Sequence, residues 1–247
     1  MRRFTLAPER LDGNRVMFDA EESHHLTRVL RLRAGDTVVA TDGAGHDFTV
    51  RLESVGERAT GSVLAVAAGP TESPLALTLV QGIPKGDRME VIVRAATELG
   101  VARVVPAIAE RTIVRLELSR WRERARRWQR VAREASKQSG RAVIPEVDVP
   151  RPLADCVARA GDADLALCVW EGAAEPLAAA LAALPRPPRT IALLVGPEGG
   201  LARAEVDGAR AAGWRVAGLG RRILRTETAG PAVIAILQSR FGDLGTA

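Results

Sequence analysis

The chain has 247 residues, 47% of them hydrophobic, which is enough for one large domain or for a small one beside a medium one. No apolar run reaches the roughly 20 residues that cross a bilayer, the opening Met1 to Leu6 has no secretory h-region, and Cys156 and Cys168 alone make no disulfide framework; the expected setting is a reducing cytoplasm, away from membranes. Cations outnumber anions by 35 to 30, which favours a polyanionic partner, and the absence of tyrosine argues against a base-stacking RNA-recognition sheet.

Residues 1 to about 70 read as β-rich. Arg15 to Phe18 is a short strand. Asp36 to Gly43 is a strand ending in an Asp-Gly turn, with His46 to Glu53 as its hairpin partner, and Gly61 to Ala67 is another strand. Between them Glu21 to Leu30 has helical spacing, with Leu26, Val29 and Leu30 expected to face the core. Several short strands and one helix predict a small β-barrel. His24 and His25 are adjacent and lack a Cys or carboxylate at matching spacing, so no metal site is expected. The segment Ala68 to Pro74 is small, polar and bounded by proline, as linkers are.

Beyond the linker the pattern changes. Leu75 to Val80 is a strand, Gln81 to Asp87 a loop, Arg88 to Leu99 a helix closed by Gly100, and Val101 to Pro106 the next strand, which together make a βαβ unit of a parallel α/β sheet. Ser119 to Ser139 is a long basic helix with Ser119 as its cap; Trp121, Ala125, Trp128, Ala132 and Ala135 form its apolar stripe. Its arginines fit either a solvated face or a set of phosphate contacts, and charge pattern alone does not choose. Leu165 to Trp170 is a strand and Pro176 to Leu184 a helix. The two cysteines read as small core residues.

Two glycine turns organise the C-terminal third. The apolar run Ile191 to Val195 stops at Gly196-Pro197, continues through Glu198-Gly199-Gly200, and gives way to an Ala-rich helix from Ala202 to Ala212. Glycines at 199 and 200 allow a close backbone approach. A second strand around Val216 leads into Gly218-Leu219-Gly220, a loop, and an apolar helix from about Ala229. Two such turns at strand ends of one parallel sheet are expected side by side, where ligands of open α/β sheets bind. Neither turn is G-x-G-x-x-G or carries Lys-Ser/Thr after its glycines, so nucleoside triphosphates and dinucleotides are poor candidates. The stretch Ala232 to Leu237 is apolar on almost every side, as an interface helix of a homodimer, or a central core helix, would be.

These residues resemble the RsmE family of SPOUT-class methyltransferases. The resemblance covers nearly the whole length. It rests on His24-His25-Leu26 with Val29-Leu30-Arg31, Lys85-Gly86, Met89-Glu90, Glu98-Leu99-Gly100, Glu110-Arg111, Trp128, Gln138, Gly140-Arg141, Gly196 to Gly200, Leu219-Gly220, Leu224 to Thr228 and Arg240 to Gly245. It implies a PUA-like β-barrel over residues 1–70 and, over 74–247, a parallel α/β domain whose end threads a trefoil knot. It implies a homodimer that uses S-adenosylmethionine to methylate N3 of a uridine in 16S ribosomal RNA, presented as RNA or as the 30S subunit; the paired glycine turns and the lack of a His/Cys/carboxylate cluster predict that no metal is needed. The cofactor contacts so implied are Leu194, Gly196, Pro197, Glu198, Gly199, Gly200, Leu219, Gly220, Ile223, Leu224, Arg225, Thr226, Thr228 and Ala229. For chemistry, Arg225 is the candidate for holding an anionic uracil or a phosphate, and Glu198 or Glu227 for accepting a proton; either carboxylate is equally readable as structural. Candidate RNA contacts are Arg2, Arg3, His25, Arg28, Arg31, Lys85, Arg111 and Arg141. Two features depart from the pattern. Gly230-Pro231 requires a helix that starts late, capped by Thr226 or Thr228, or one that kinks. Trp170 stands where a smaller apolar residue is expected, at the cofactor edge. Methylation of another RNA position, or RNA binding without catalysis, are the rival readings.

Overall fold

The computed structural model describes residues 3–159 and 162–245, in two compact units. The first runs to Glu72 and takes in Arg133–Ile144; the second comprises Ser73–Ala132 and the chain from Pro145 onward.

In the first unit the strands are β1 (Arg3–Thr5), β2 (Leu11–Asp12), β3 (Arg15–Met17), then helix α1 (Ala20–His24), β4 (Thr37–Thr41), β5 (His46–Ser54) and β6 (Thr60–Ala68). They form one six-stranded sheet in the order β1-β4-β5-β6-β3-β2, antiparallel except where β1 meets β4. The Asp42-Gly43 turn works as its chemistry predicts: Gly43 takes a φ of 72°, Asp42 Oδ1 accepts the Ala44 and His46 N–H groups at 2.8 and 3.0 Å, and Thr41 pairs with Asp47. Register shifts in β5 and β6 bend the sheet around Phe4, Phe18, Leu26, Val50 and Leu52, all within 1% of full burial.

The helix of this unit departs from its expected face. After His24 the chain makes a single π turn, His25–Val29, closed by Leu30 N–H donating to His25 O at 3.0 Å. The wider turn shifts later side chains away from the 3.6-residue period. Leu26 is fully buried, but Val29 is 60% exposed rather than facing the core. The turn ends at Arg31, whose φ of 53° is the only positive value for a non-glycine residue among those described.

The second unit contains β7 (Ala76–Gly82), α2 (Arg88–Glu98), β8 (Arg103–Ile108), α3 (Leu118–Ser139), β9 (Glu146–Val147), β10 (Arg151–Pro152), α4 (Leu153–Arg159), β11 (Leu165–Val169), α5 (Leu177–Ala182), β12 (Thr190–Val195), α6 (Arg203–Ala211), β13 (Arg215–Ala217) and α7 (Thr226–Phe241); the last turns of α3 belong to the first unit. Its sheet is parallel throughout, in the order β10-β8-β7-β12-β11-β13, with β9 also on β8. Central β12 is buried from Ile191 to Val195, which is why it reads as a continuous apolar run. Gly100, at φ 83°, closes α2 as expected. The stripe of α3 is buried from Trp121 to Ala135. Ser119 is not its cap: the helix begins at Leu118, and Trp121 N–H donates to Glu117 O at 3.1 Å. Cys156 and Cys168 lie in the core, and burial pushes their thiols up to about 11 and about 12.

Helix α7 neither starts late nor takes a threonine cap. It starts at Thr226 with Arg225 as the capping position, and Pro231 sits inside it. The Thr226 hydroxyl is engaged elsewhere: its oxygen accepts from Gln81 Nε2 at 2.9 Å and its hydrogen is donated to Gly196 O at 2.7 Å. The proline leaves the Glu227 carbonyl without its intrahelical donor. Pro231→Ala restores that donor and is expected to stabilise the protein by about 1–3 kcal/mol, read as a higher urea midpoint. An unchanged midpoint would show that ring packing offsets the recovered bond.

Candidate active site

The site begins where β12 ends. Gly196-Pro197 turns the chain so tightly against β7 that a Cβ on Gly82 would stand 2.5 Å from Pro197 N and Cδ, and 2.9 Å from Gly196 C. Gly200, at φ 72°, donates its N–H to Pro197 O at 2.9 Å and completes the turn. Beneath it lies fully buried Gln81. Its Nε2 donates to Thr226 Oγ1 and to Gly82 O, both at 2.9 Å, and to Gly196 O at 3.3 Å, while its Oε1 has no partner among the described residues. One side chain thus ties the ends of β7 and β12 to the start of α7. Such a buried amide is costly to disturb, because each lost partner leaves a polar group stranded.

The second loop leaves β13 at Ala217 and carries Leu219 to Arg225 into α7. Gly220 adopts a φ of 102°, and Arg221, Arg222 and Ile223 are exposed. The two glycine strands are not neighbours: β11 stands between β12 and β13. Its end therefore adds Val169, Trp170 and Glu171 to the same site. The three strand ends and the loops after them enclose a cavity of about 760 Å³. This is the C-terminal edge of a parallel sheet, where such folds bind ligands, and the volume suits a small-molecule cofactor.

Of the expected cofactor contacts, residues 196–200, 219–220 and 223–226 and Ala229 line the cavity. Leu194 does not, being fully buried in the core, and Thr228 is exposed on α7 outside the lining. Trp170 is at the cavity edge, as expected. The glycines at 199 and 200 make close approaches within the chain. A Cβ on Gly199 would first meet Arg111 Cβ at 3.2 Å, and Arg111 Nη1 donates to Gly199 O at 2.8 Å; a Cβ on Gly200 would meet Glu171 Oε1 at 2.7 Å.

The charged lining separates the two carboxylates. Both Glu198 oxygens lie within reach of the Lys85 N–H, at 3.2 and 3.3 Å. Glu227 Oε1 is 3.8 Å from Arg88 Nε and 4.0 Å from Arg225 Nη1, with its side chain 21% exposed against 80% for Arg225. Arg88, Glu171, Arg221 and Arg222 line the cavity without having been singled out in the sequence. For Arg88 a signal existed: it opens the helix that follows β7, and any loop leaving that sheet edge was a candidate.

A family model described as an RNA methyltransferase domain matches residues 71–238, and one described as an RNA methyltransferase PUA domain matches 18–59. The chain is 34% identical to the ribosomal RNA small subunit methyltransferase E of Synechocystis, over 94% of this chain and 76% of that one. It is 32% identical to the protein of the same name from Bacillus subtilis, over 85% and 84%. The chain belongs to the ribosomal RNA small subunit methyltransferase E family. A solved member of it from Neisseria gonorrhoeae, bound to S-adenosyl methionine, superposes with a TM-score of 0.87 at 36% identity, covering 98% of this chain and 99% of that one.

The candidate RNA contacts fall into two groups. Arg28, Arg31 and Lys85 are exposed, and His25 is half-buried with its ring edge-on to Phe4 at 5.7 Å. Arg3 and Arg141 are each paired within the chain. Arg3 pairs with Asp47 and donates to Gly140 O, and is 12% exposed. Arg141 is 10% exposed and pairs with Glu72 at 2.7 Å. Arg111 holds the Gly199 carbonyl as described. Arg2 lies outside the described residues. None of the described His, Cys, Asp and Glu residues form a group of three or more with metal-ligating geometry.

Proposed function

We propose that this protein transfers the methyl group of S-adenosylmethionine to N3 of one uridine in the 16S ribosomal RNA of the small ribosomal subunit, in the cytoplasm. The observation that carries the reading is the cavity at residues 196–201 and 219–226, with Arg88, Glu227 and Arg225 along one side, in a chain of this family.

The residues present suit the cofactor. Val169, Val195, Leu201, Leu219 and Leu224 supply apolar walls, the glycine turns at 196–200 and 219–220 bring backbone into the lining, and charged side chains such as Arg88, Glu171, Arg225 and Glu227 complete it. An adenosine and an amino-acid tail can be held by such edges without a phosphate-binding loop. S-adenosylmethionine supplies, when bound, a methyl group on a positively charged sulfur, so the protein needs no covalent nucleophile. What it must supply is charge control at the base, because N3 of uridine carries a proton at neutral pH. Arg225 takes up the negative charge that grows on the uracil carbonyls as N3 reacts. Glu227, in the cavity lining and 4.0 Å from Arg225, accepts the N3 proton. Arg88 flanks Glu227 and fixes its position.

In this reading residues 1–70 read the RNA, with Arg28, Arg31 and His25 as contacts, and residues 74–247 carry the transfer, with Lys85 and Arg111 beside the substrate. Membership of the family carries the trefoil threading of the last segment, whose start the bonds between Gln81, Gly196 and Thr226 hold against the sheet edge. The working form is a homodimer. Val233, Ile234 and Leu237 are consumed by the chain's own core, so the surface offered to a second copy is the outer stripe of Thr228, Ala232, Ala235, Ile236 and Ser239, with Ile223, 86% exposed, in the adjoining loop.

The test is transfer of labelled methyl from S-adenosylmethionine to 30S subunits and to naked 16S RNA, with the mass in solution read by light scattering at the same concentration. Label in the RNA of one or both, from a dimer, is expected. Tight RNA binding with no label would make the protein a non-catalytic RNA-binding factor.

A further inference from the structure

Three arginines on α3 stand in a row. Arg122, Arg126 and Arg130 are exposed and fall four residues apart, so they leave one line of the helix surface at intervals of roughly 6 Å. Cations elsewhere on the same helix have found carboxylates: Arg120 with Glu123 at 3.3 Å, Arg127 with Glu90 at 2.6 Å and Asp87 at 3.7 Å, and Arg133 with Asp19 at 3.9 Å. Arg122, Arg126 and Arg130 have no hydrogen bond, ion pair or ring contact among the described residues. Like charges four apart work against the helix that bears them, and here they are carried because Trp121, Ala125, Trp128 and Ala132 anchor the opposite side. Nothing in the folding of the chain uses the row.

We propose that Arg122, Arg126 and Arg130 form a rail that holds the phosphate backbone of the substrate RNA. The inference rests on the reading that RNA is the substrate. Guanidinium groups at this interval come close to the spacing of successive phosphates along an RNA strand, and each presents a fork of donors suited to phosphate oxygens. The row lacks an exposed aromatic side chain, since both tryptophans of α3 are buried. It therefore grips backbone and does not stack on bases, so it positions the substrate and carries no sequence information.

The test is filter binding of 30S subunits over a salt series, comparing the parent with a triple variant, Arg122→Gln, Arg126→Gln and Arg130→Gln. Glutamine keeps helix propensity and removes charge. Each phosphate contact contributes about 0.7 to 0.9 to the slope of log K against log salt, so the triple variant is expected to lose about 2 from that slope and to bind on the order of 10-fold or more weakly at low salt. Its melting temperature and its affinity for S-adenosylmethionine are expected to match the parent. Arg127→Gln, which breaks the pair with Glu90, is expected to do the reverse: a lower melting temperature and an unchanged slope. A folded triple variant with the parent's slope overturns the rail. So does one whose only change is loss of association with another protein copy, which would make the row a protein contact. Methyl transfer by the parent is measured on the same subunits; a parent that binds but does not methylate refutes the catalytic reading and leaves the rail standing.

Discussion

Gly82→Ala is expected to weaken S-adenosylmethionine binding by at least about 100-fold, or about 2.7 kcal/mol, while the protein stays folded. The added Cβ would lie 2.5 Å from Pro197 N and Cδ. These atoms belong to the backbone and to a rigid ring, so no rotamer change relieves the clash. The end of β7 and the 196–197 turn must separate, and overpacking of this kind costs about 1–3 kcal/mol or more. Separation also breaks the Gln81 bonds to Gly196 O and Thr226 Oγ1 that set the cavity's two loops against each other. Gly199→Ala gives the contrast. Its Cβ would meet Arg111 Cβ at 3.2 Å, a contact that a shift of a few tenths of an ångström between the two loops relieves, and an effect below about 1 kcal/mol is expected. Calorimetry on both variants, with circular dichroism to confirm folding, checks the pair. Equal cofactor affinity in parent and folded Gly82→Ala would mean that the cavity does not hold the cofactor.

Arg225→Ala is expected to slow methyl transfer by about 100-fold at saturating substrate, the scale on which loss of one charge-stabilising donor is felt. The side chain is 80% exposed and 4.0 Å from Glu227; its removal leaves Glu227 still beside Arg88 at 3.8 Å, so little stability should be lost. RNA affinity is expected to change only a few-fold, because one phosphate contact at most is removed. Single-turnover transfer to 30S subunits, with filter binding beside it, separates the two effects. A normal single-turnover rate would leave Arg225 as the cap of α7 and nothing more.

The parts of the fold that were legible in the sequence are those whose cause is local. The Asp42-Gly43 hairpin, the α3 stripe and the Gly100 stop follow from residues within one or two turns of one another. The two glycine turns were visible for the same reason: an apolar run that ends at Gly196 announces a strand end wherever the strand lies. What escaped depends on contacts remote in the chain. Strand order is one such feature, so β11 entered between the glycine strands unannounced and brought Glu171 with it. Arg88 reaches Glu227 from 139 positions away. Arg3 and Arg141 look like free cations because their partners, Asp47 and Glu72, are far off in sequence. Val29 was misplaced by a π turn, which no hydrophobic period reveals. Thr226 reads as a cap in the sequence, but its hydroxyl oxygen accepts from Gln81, 145 positions away.

In the proposed reaction one uridine of the small-subunit RNA receives a methyl group at N3 in the cavity above β11 and β12. Its most direct measurement is a mass-spectrometric nucleoside map of 16S RNA from 30S subunits incubated with S-adenosylmethionine and either the protein or its Gly82→Ala variant. One new 3-methyluridine, at a single position, is expected with the parent protein, and a far lower yield with the variant at S-adenosylmethionine concentrations that only just saturate the parent. A methyl group on a different atom or base, or an equal yield from the variant, would contradict the proposed reaction.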